Sequence, residues 1–187
     1  MHTAPTILLA TLTATHAAAE STAHRPTPAA QPRIFYEIDI GGVSTWDAFG
    51  AAANERLAIH LGAFAHITAI EWDVTIATVG NSWLSEAGFA FLDSPTTLSL
   101  FPGVGNDFSG TGTFSSAGVF TLPSNDYFDV GADGLLEIEF FESFDDAPNA
   151  IDAAFLPGSV IRVLVPAPPS VAALLALAGD AARRRRA

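Results

Sequence analysis

The 187-residue sequence contains no cysteine and no lysine. Without cysteine the chain cannot build a disulfide framework, a thiolate metal site or a cysteine nucleophile, so any metal must bind oxygen or histidine ligands. Eight arginines carry the positive charge, and half of them stand within the last five residues. The body of the chain is therefore almost free of cationic side chains.

That body is strongly acidic. Between Glu20 and Val165 nineteen acidic residues face four arginines, a net charge of −15. Nucleic-acid affinity is built from clustered Lys and Arg, so a nucleic-acid partner is excluded. The acidity predicts solubility or adaptation to salt, and it leaves cation binding through oxygen ligands as an alternative.

The N-terminus is typical of an exported protein. An apolar, Thr-rich stretch at 7–14 is followed by Ala17, Ala18 and Ala19, a small-residue cleavage pattern. We predict a secretory signal peptide over residues 1–19, with a disordered Ala/Thr-rich leader as the alternative. Residues 20–32, with Pro26 and Pro28, predict a flexible lead-in.

The C-terminus combines three elements over residues 166–187: a Pro-rich start, a short apolar run over 171–182 that contains Asp180, and an arginine block. A spanning helix needs about 20 apolar residues, so this run is too short for a permanent anchor. An amphipathic basic helix is one interpretation. The Pro-rich start and the arginine block comprise these residues: Pro166, Ala167, Pro168, Ser170, Arg183, Arg184, Arg185 and Arg186.

This arrangement resembles the PEP-CTERM sorting signal, in a Pro-Ala-Pro variant of planctomycete type. The resemblance implies that the tail contacts the inner membrane transiently, with its arginines in the cytoplasm, until an exosortase-like enzyme removes it. It also implies delivery to the outer cell surface or the extracellular matrix.

Period-two alternation dominates residues 33–165 and predicts a β-sandwich domain there. Ile70, Trp72 and Val74 fall on one face of a predicted strand, opposite Glu71 and Asp73. Eight strands are predicted, at 34–40, 56–61, 67–80, 87–92, 97–101, 111–122, 135–141 and 159–164, with one short helix near 48–56.

Short strands with one polar face each predict an all-β fold of two antiparallel sheets packed face to face, as in a sandwich or jelly roll. The segments WDVTIATVGNSWLSEAGFAFLDS and LLEIEFFESFDDAPNAIDAAFLPGSVIRV are similar to the sandwich domain of exported planctomycete-type sorting-signal proteins, which in turn resembles carbohydrate-binding jelly rolls.

One loop is rich in oxygen ligands. The segment FDDAPNAID holds Asp145, Asp146, Asn149 and Asp152 between two predicted strands. Ca²⁺ takes six to eight oxygen ligands, so a structural calcium ion is one hypothesis for this loop. A plain solvated acidic loop is the other.

Two tryptophans are candidates for carbohydrate stacking, because an indole face packs on the apolar face of a sugar ring. Trp46 and Trp83 lie beside turns, where an indole could contact a ligand or cover the sandwich end. Trp72 alternates with apolar residues and is assigned to the core.

No catalytic residue is assigned. Glu137 and Glu139 stand two apart on a predicted solvated strand face, and with Glu71 and Asp73 they could imitate a paired-carboxylate site. Any polar strand face produces such spacing. His60 is expected to be an ordinary surface histidine.

The sequence thus predicts a non-enzymatic exported surface or matrix protein. A carbohydrate-binding module for extracellular polysaccharide, using Trp46 or Trp83 and a structural calcium, is the alternative. A glycan hydrolase is the third and least supported hypothesis.

Overall fold

A computed structural model of the protein describes residues 33–95 and 97–166. The predicted signal peptide, the lead-in and all of the sorting tail except Pro166 lie outside these residues. The regular structure of the described part is entirely β: β1 (Arg33–Asp39), β2 (Ser44–Thr45), β3 (Arg56–His60), β4 (His66–Ile67), β5 (Ala69–Thr78), β6 (Ala87–Phe91), β7 (Leu98–Leu100), β8 (Thr111–Ser115), β9 (Phe120–Thr121), β10 (Phe128–Asp129), β11 (Leu135–Glu142), β12 (Ala153–Phe155) and β13 (Val160–Pro166).

The strands form two main sheets and a small ribbon. The larger sheet has the order β1-β13-β5-β12-β2, with β8 and β9 also paired to β5; the smaller has the order β3-β11-β6-β7, and β10 pairs with β4. Every pairing between strands is antiparallel. The predicted all-β, sandwich-like fold is confirmed.

Phenylalanine rings join the two main sheets. Phe155 of β12 contacts Phe89 of β6 and Phe140 of β11, with ring centroids 6.4 Å and 5.5 Å apart. All three side chains are buried. Burying each such ring contributes roughly 1.5–3 kcal/mol, which supports a domain without disulfides.

The alternation in β5 produces one core-facing side, as predicted. Ile70, Val74 and Ile76 are buried, whereas Asp73 is exposed. Trp72 is half-buried and packs against the core, so its assignment to the core is confirmed. The branched side chains fit a pleated surface with one face toward the other sheet.

The outer face of the smaller sheet is covered, contrary to the prediction of a solvated face. Phe141 on that face contacts Phe49 and Phe101, with ring centroids 5.3 Å and 5.4 Å apart. Glu139 is also buried there. The placement of Glu139 on a solvated face was wrong because segment 46–55 folds over the outside of β11.

The predicted helix near 48–56 is absent. The segment contains successive turns, with the N–H of Ala51 donating to the carbonyl of Ala48 at 3.1 Å and that of Asn54 to Ala51 at 3.3 Å. Gly50 has a φ of +85°, outside the right-handed helical region, and its N–H donates to the Glu139 carboxylate at 2.6 Å. The hydrogen bond from Gly50 to the buried Glu139 carboxylate therefore favours these turns over the helix that the local sequence predicts.

The predicted strand over 111–122 is interrupted. β8 and β9 both pair with β5, but the four residues between them leave the ladder. Ala117 and Gly118 have φ values of +54° and +115°, which extended strands do not adopt. The described part of the chain ends at Pro166, which is the last residue of β13 and stands opposite Arg33 of β1.

None of the described residues belongs to a helix with the length and hydropathy that a membrane crossing requires.

Candidate functional site

Trp83 is the exposed member of a tight turn. Ser82 and Leu84 on either side of it are buried, while Trp83 itself is 45% exposed. The Glu86 carboxylate accepts the backbone N–H of Trp83 at 2.7 Å, and the N–H of Glu86 donates to the Trp83 carbonyl at 3.1 Å. These reciprocal bonds and the buried neighbours hold the backbone of the turn and leave the indole at the surface.

Trp83 lines a cleft of about 340 Å³ together with Asn81, Glu86, Phe144 and Asp146. We call this set the Trp83 cleft. Phe144 is 62% exposed, so the cleft offers two aromatic side chains to solvent beside one amide and two carboxylates. Aromatic walls with a few polar groups are typical of sites for small, partly apolar molecules.

The other predicted stacking residue, Trp46, has a different environment. It is half-buried, and its indole nitrogen is buried without a hydrogen-bond partner. It is not among the described residues that line the Trp83 cleft. The structure therefore does not bring the two candidate tryptophans into one site, and Trp83 offers more indole surface than Trp46.

Five acidic residues gather next to the cleft, and we call them the carboxylate cluster: Asp47, Glu142, Asp145, Asp146 and Asp152. Asp152 interacts electrostatically with Asp47, Asp145 and Asp146. Glu142 interacts with Asp152 and Asp146. Asp146 lines both the Trp83 cleft and a neighbouring cavity of about 260 Å³ that Asp152 also lines. The cluster and the cleft thus adjoin.

Short strands and the β11–β12 loop hold the cluster together. Thr45 of β2 accepts the N–H of Asp152 at 3.0 Å through its carbonyl, and its hydroxyl donates to the carboxylate of Glu142. The N–H of Glu142 donates to the Asp47 carbonyl at 3.0 Å. The Asp47 carboxylate accepts the N–H of Asn149 at 2.7 Å. Backbone pairing therefore imposes the proximity of the acidic side chains.

Three oxygens of the cluster lack partners. Glu142 Oε2, Asp145 Oδ1 and Asp152 Oδ2 are buried without a hydrogen bond, and Glu142 and Asp152 are each only 1% exposed. None of the ion pairs found among the described residues includes a member of the cluster. A buried carboxylate without a partner is costly, since desolvation disfavours its charge.

Two acids of the cluster, Glu142 and Asp152, have raised pKa values because of this burial. Burial raises the pKa of Glu142 to about 8; the hydrogen bond from Thr45 opposes the shift, and the charges of Asp152, Glu86 and Asp146 add to it. Burial likewise raises the pKa of Asp152, against a hydrogen bond from Ser82. Glu142 therefore holds a proton at neutral pH unless a cation replaces it.

The predicted calcium ligands are partly brought together. Asp145, Asp146 and Asp152 belong to the cluster, whereas Asn149, with a φ of +60° and an exposed side chain, contributes its backbone N–H. Over residues 33–95 and 97–166, no group of three or more His, Cys or acidic side chains is arranged to hold a metal ion. The cluster is a set of neighbouring carboxylates and not a formed coordination sphere.

The paired-carboxylate hypothesis is not supported by the placement of its residues. Glu137 is exposed and Glu139 is buried on β11, whereas Glu71 and Asp73 lie on β5 of the other sheet. His60 is exposed, as predicted.

Sequence reasoning missed Glu142, although a signal for it was present. Leu136, Ile138, Phe140 and Glu142 share one face of β11 by the period of two. An acid that continues an apolar strand face predicts a buried charge. Asp47 and Phe144 carry no comparable signal, since their roles depend on how distant segments meet.

Comparison with protein-family models gives no match for this chain, and comparison with curated proteins gives none.

Proposed function

We propose that this chain is an exported, non-enzymatic surface protein whose β-sandwich binds neutral polysaccharide in the Trp83 cleft. The single observation that carries the proposal is that the exposed Trp83 and Phe144 line one cleft that also contains Asn81, Glu86 and Asp146.

A sugar ring matches the chemistry of this cleft. Its C–H face is apolar and packs on an aromatic ring, while its hydroxyls at the ring edge both donate and accept hydrogen bonds. The Asn81 amide can do both, and the carboxylates of Glu86 and Asp146 accept. Aromatic anchors with a few polar groups give binding together with orientation.

The charge of the cleft selects among polysaccharides. Glu86 and Asp146 line it, and no cationic side chain is among the described lining residues. A uronate-rich or sulfated polymer would bring like charge to these carboxylates, which is unfavourable. Neutral glycans avoid this repulsion.

Export and surface delivery rest on the two ends of the sequence, and they agree with this choice of ligand. The signal-peptide pattern and the resemblance of the tail to a PEP-CTERM signal support an extracellular location, where polysaccharide is found. The −15 charge of residues 20–165 favours solubility in that setting.

Affinity electrophoresis of the full chain through gels containing neutral or uronate-rich polysaccharides tests the proposal. We expect retardation by at least one neutral polymer and a loss of about tenfold or more in affinity for Trp83→Ala, since a central aromatic anchor is worth more than 1 kcal/mol. Phe35→Ala is the matched control, because Phe35 is also 45% exposed but lies on β1, outside the cleft. Equal retardation of both variants, or none by any neutral polymer, overturns the proposal.

A further inference from the structure

The carboxylate cluster has no cationic partner among the described residues. Glu142 and Asp152 are each 1% exposed and each has one oxygen without a hydrogen-bond partner, and Asp145 adds a third such oxygen. The arginines that form ion pairs in the described residues do so elsewhere, Arg56 with Glu139 and Arg162 with Glu37 and Glu71. Buried charges in proteins are normally paired or bound to metal.

We infer that the carboxylate cluster binds a calcium ion, with Glu142, Asp145, Asp146 and Asp152 as its carboxylate ligands. This inference does not depend on the proposed function. Two of the ligands, Glu142 and Asp152, belong to opposite ends of the loop that joins β11 to β12, so one ion would fasten the loop to both strands.

The donor set selects the metal. The cluster offers carboxylate oxygens only, and no histidine or cysteine belongs to it, which disfavours Zn²⁺ and other metals that prefer nitrogen or sulfur. Ca²⁺ accepts six to eight oxygens in irregular geometry and takes backbone carbonyls and water with carboxylates. Mg²⁺ demands a near-ideal octahedron and keeps its water, which a buried pair of acids does not suit.

A cavity gives access to two of the four proposed ligands. Asp146 and Asp152 line the cavity of about 260 Å³ together with Asn81 and Ser82. Asp146 is exposed, so its side chain can rotate toward an ion. No three carboxylates of the described residues are arranged to hold an ion in this structure. Convergence is therefore the change that calcium would produce.

Thermal unfolding of the full chain, first treated with chelator and then supplied with about 10 mM CaCl₂, tests this inference at the affinity of extracellular calcium modules. We expect the midpoint to rise by about 5 °C, and MgCl₂ at the same ionic strength to give less than half that shift. In chelator, Asp152→Asn and Glu142→Gln should unfold at or above the wild-type temperature, because Asn removes a buried acid and Gln resembles the protonated form of Glu142. In calcium both should lose the rise.

Asp107→Asn is the matched control, since it removes one exposed carboxylate outside the cluster and should keep the full calcium response. A second readout avoids dependence on folding. Trp83 follows Ser82, whose hydroxyl donates to Asp152 at 3.1 Å, so its fluorescence should change on addition of CaCl₂ in the wild type but not in Asp146→Asn. No midpoint shift with calcium, equal shifts with Ca²⁺ and Mg²⁺, or an unaltered response in Asp152→Asn and Asp146→Asn overturns the inference.

Discussion

Arg56 and Glu139 form an ion pair with unequal exposure: the Arg56 side chain is 52% exposed and the Glu139 side chain is fully buried, with 2.7 Å between Nη2 and Oε2. The same carboxylate accepts the N–H of Gly50 at 2.6 Å and the amide of Asn54 at 2.8 Å. Through these bonds one buried charge on β11 fixes the segment that covers the outer face of the smaller sheet.

Replacing Arg56 should therefore destabilise the fold more than its exposure suggests. Arg56→Ala leaves the Glu139 charge buried with two neutral donors, and we expect the free energy of unfolding to fall by about 3 kcal/mol. The double variant Arg56→Ala/Glu139→Gln also removes the unpaired charge of Glu139 and should be more stable than Arg56→Ala alone. Urea unfolding of the four proteins in this cycle gives the coupling, and strictly additive losses would contradict the account.

The raised pKa of Glu142 predicts a stability that falls with rising pH in chelator. The folded protein keeps the Glu142 proton up to a pKa of about 8, whereas the unfolded chain releases it near the ordinary value of 4.5. Between these values the folded state binds more protons, so the free energy of unfolding decreases by at most about 1.4 kcal/mol per pH unit for this group. The raised pKa of Asp152 acts in the same direction.

Urea unfolding in EDTA at several pH values from 5 to 8 measures this slope. Glu142→Gln should flatten it, while Glu37→Gln, which alters an exposed acid on β1, should not. A wild-type stability that rises over this range would contradict the burial of an uncompensated carboxyl.

The calcium site and the cleft should be coupled through Ser82. Its hydroxyl donates to Asp152, and Trp83 is the next residue. Calcium bound by Asp152 should act on this turn through that hydrogen bond and tighten polysaccharide binding by about fivefold, the lower end of usual coupling between sites. Ser82→Ala should reduce that factor while keeping the rise in unfolding temperature with calcium. Calorimetric titration of a neutral oligosaccharide in calcium and in chelator measures both, and an undiminished factor in Ser82→Ala would rule out this route.

Processing of both ends predicts the mass of the mature protein. The full chain is 19.5 kDa. Protein recovered from its native host should lack residues 1–19 and the arginine block at the C-terminus, and intact mass spectrometry reports both losses at once. Recovery of an unprocessed 19.5 kDa chain from the cytosol would contradict export and the surface role.

The alternating strands could be predicted because each has a local signature. β1 and β5 have the predicted faces, since a half-buried strand alternates apolar and polar residues, whereas β11 has the predicted apolar face but is covered on the other. The helix predicted near 48–56 is absent because the N–H of Gly50 donates to Glu139, which is 89 residues away in the sequence. No local pattern contains that contact.

The candidate site was only partly predictable for the same reason. Asp145, Asp146 and Asp152 are neighbours in sequence, so their grouping was visible. Asp47 joins them because β2 pairs with β12, and a two-residue strand has too few positions to show a period. Phe144 lines the same cleft as Trp83 because two distant segments meet there, with the N–H of Ser143 donating to the Glu86 carbonyl at 2.9 Å.

The most direct test of glycan binding at Trp83 follows the three indole N–H signals of the full chain by ¹H–¹⁵N NMR during titration with a neutral oligosaccharide. Trp46 and Trp72 have buried indole nitrogens, and Trp→Phe variants assign each signal. The account predicts that the Trp83 signal shifts in a saturable manner while the Trp72 signal stays in place. A Trp83 signal that does not move at saturating oligosaccharide, or a shift confined to Trp46, would contradict it.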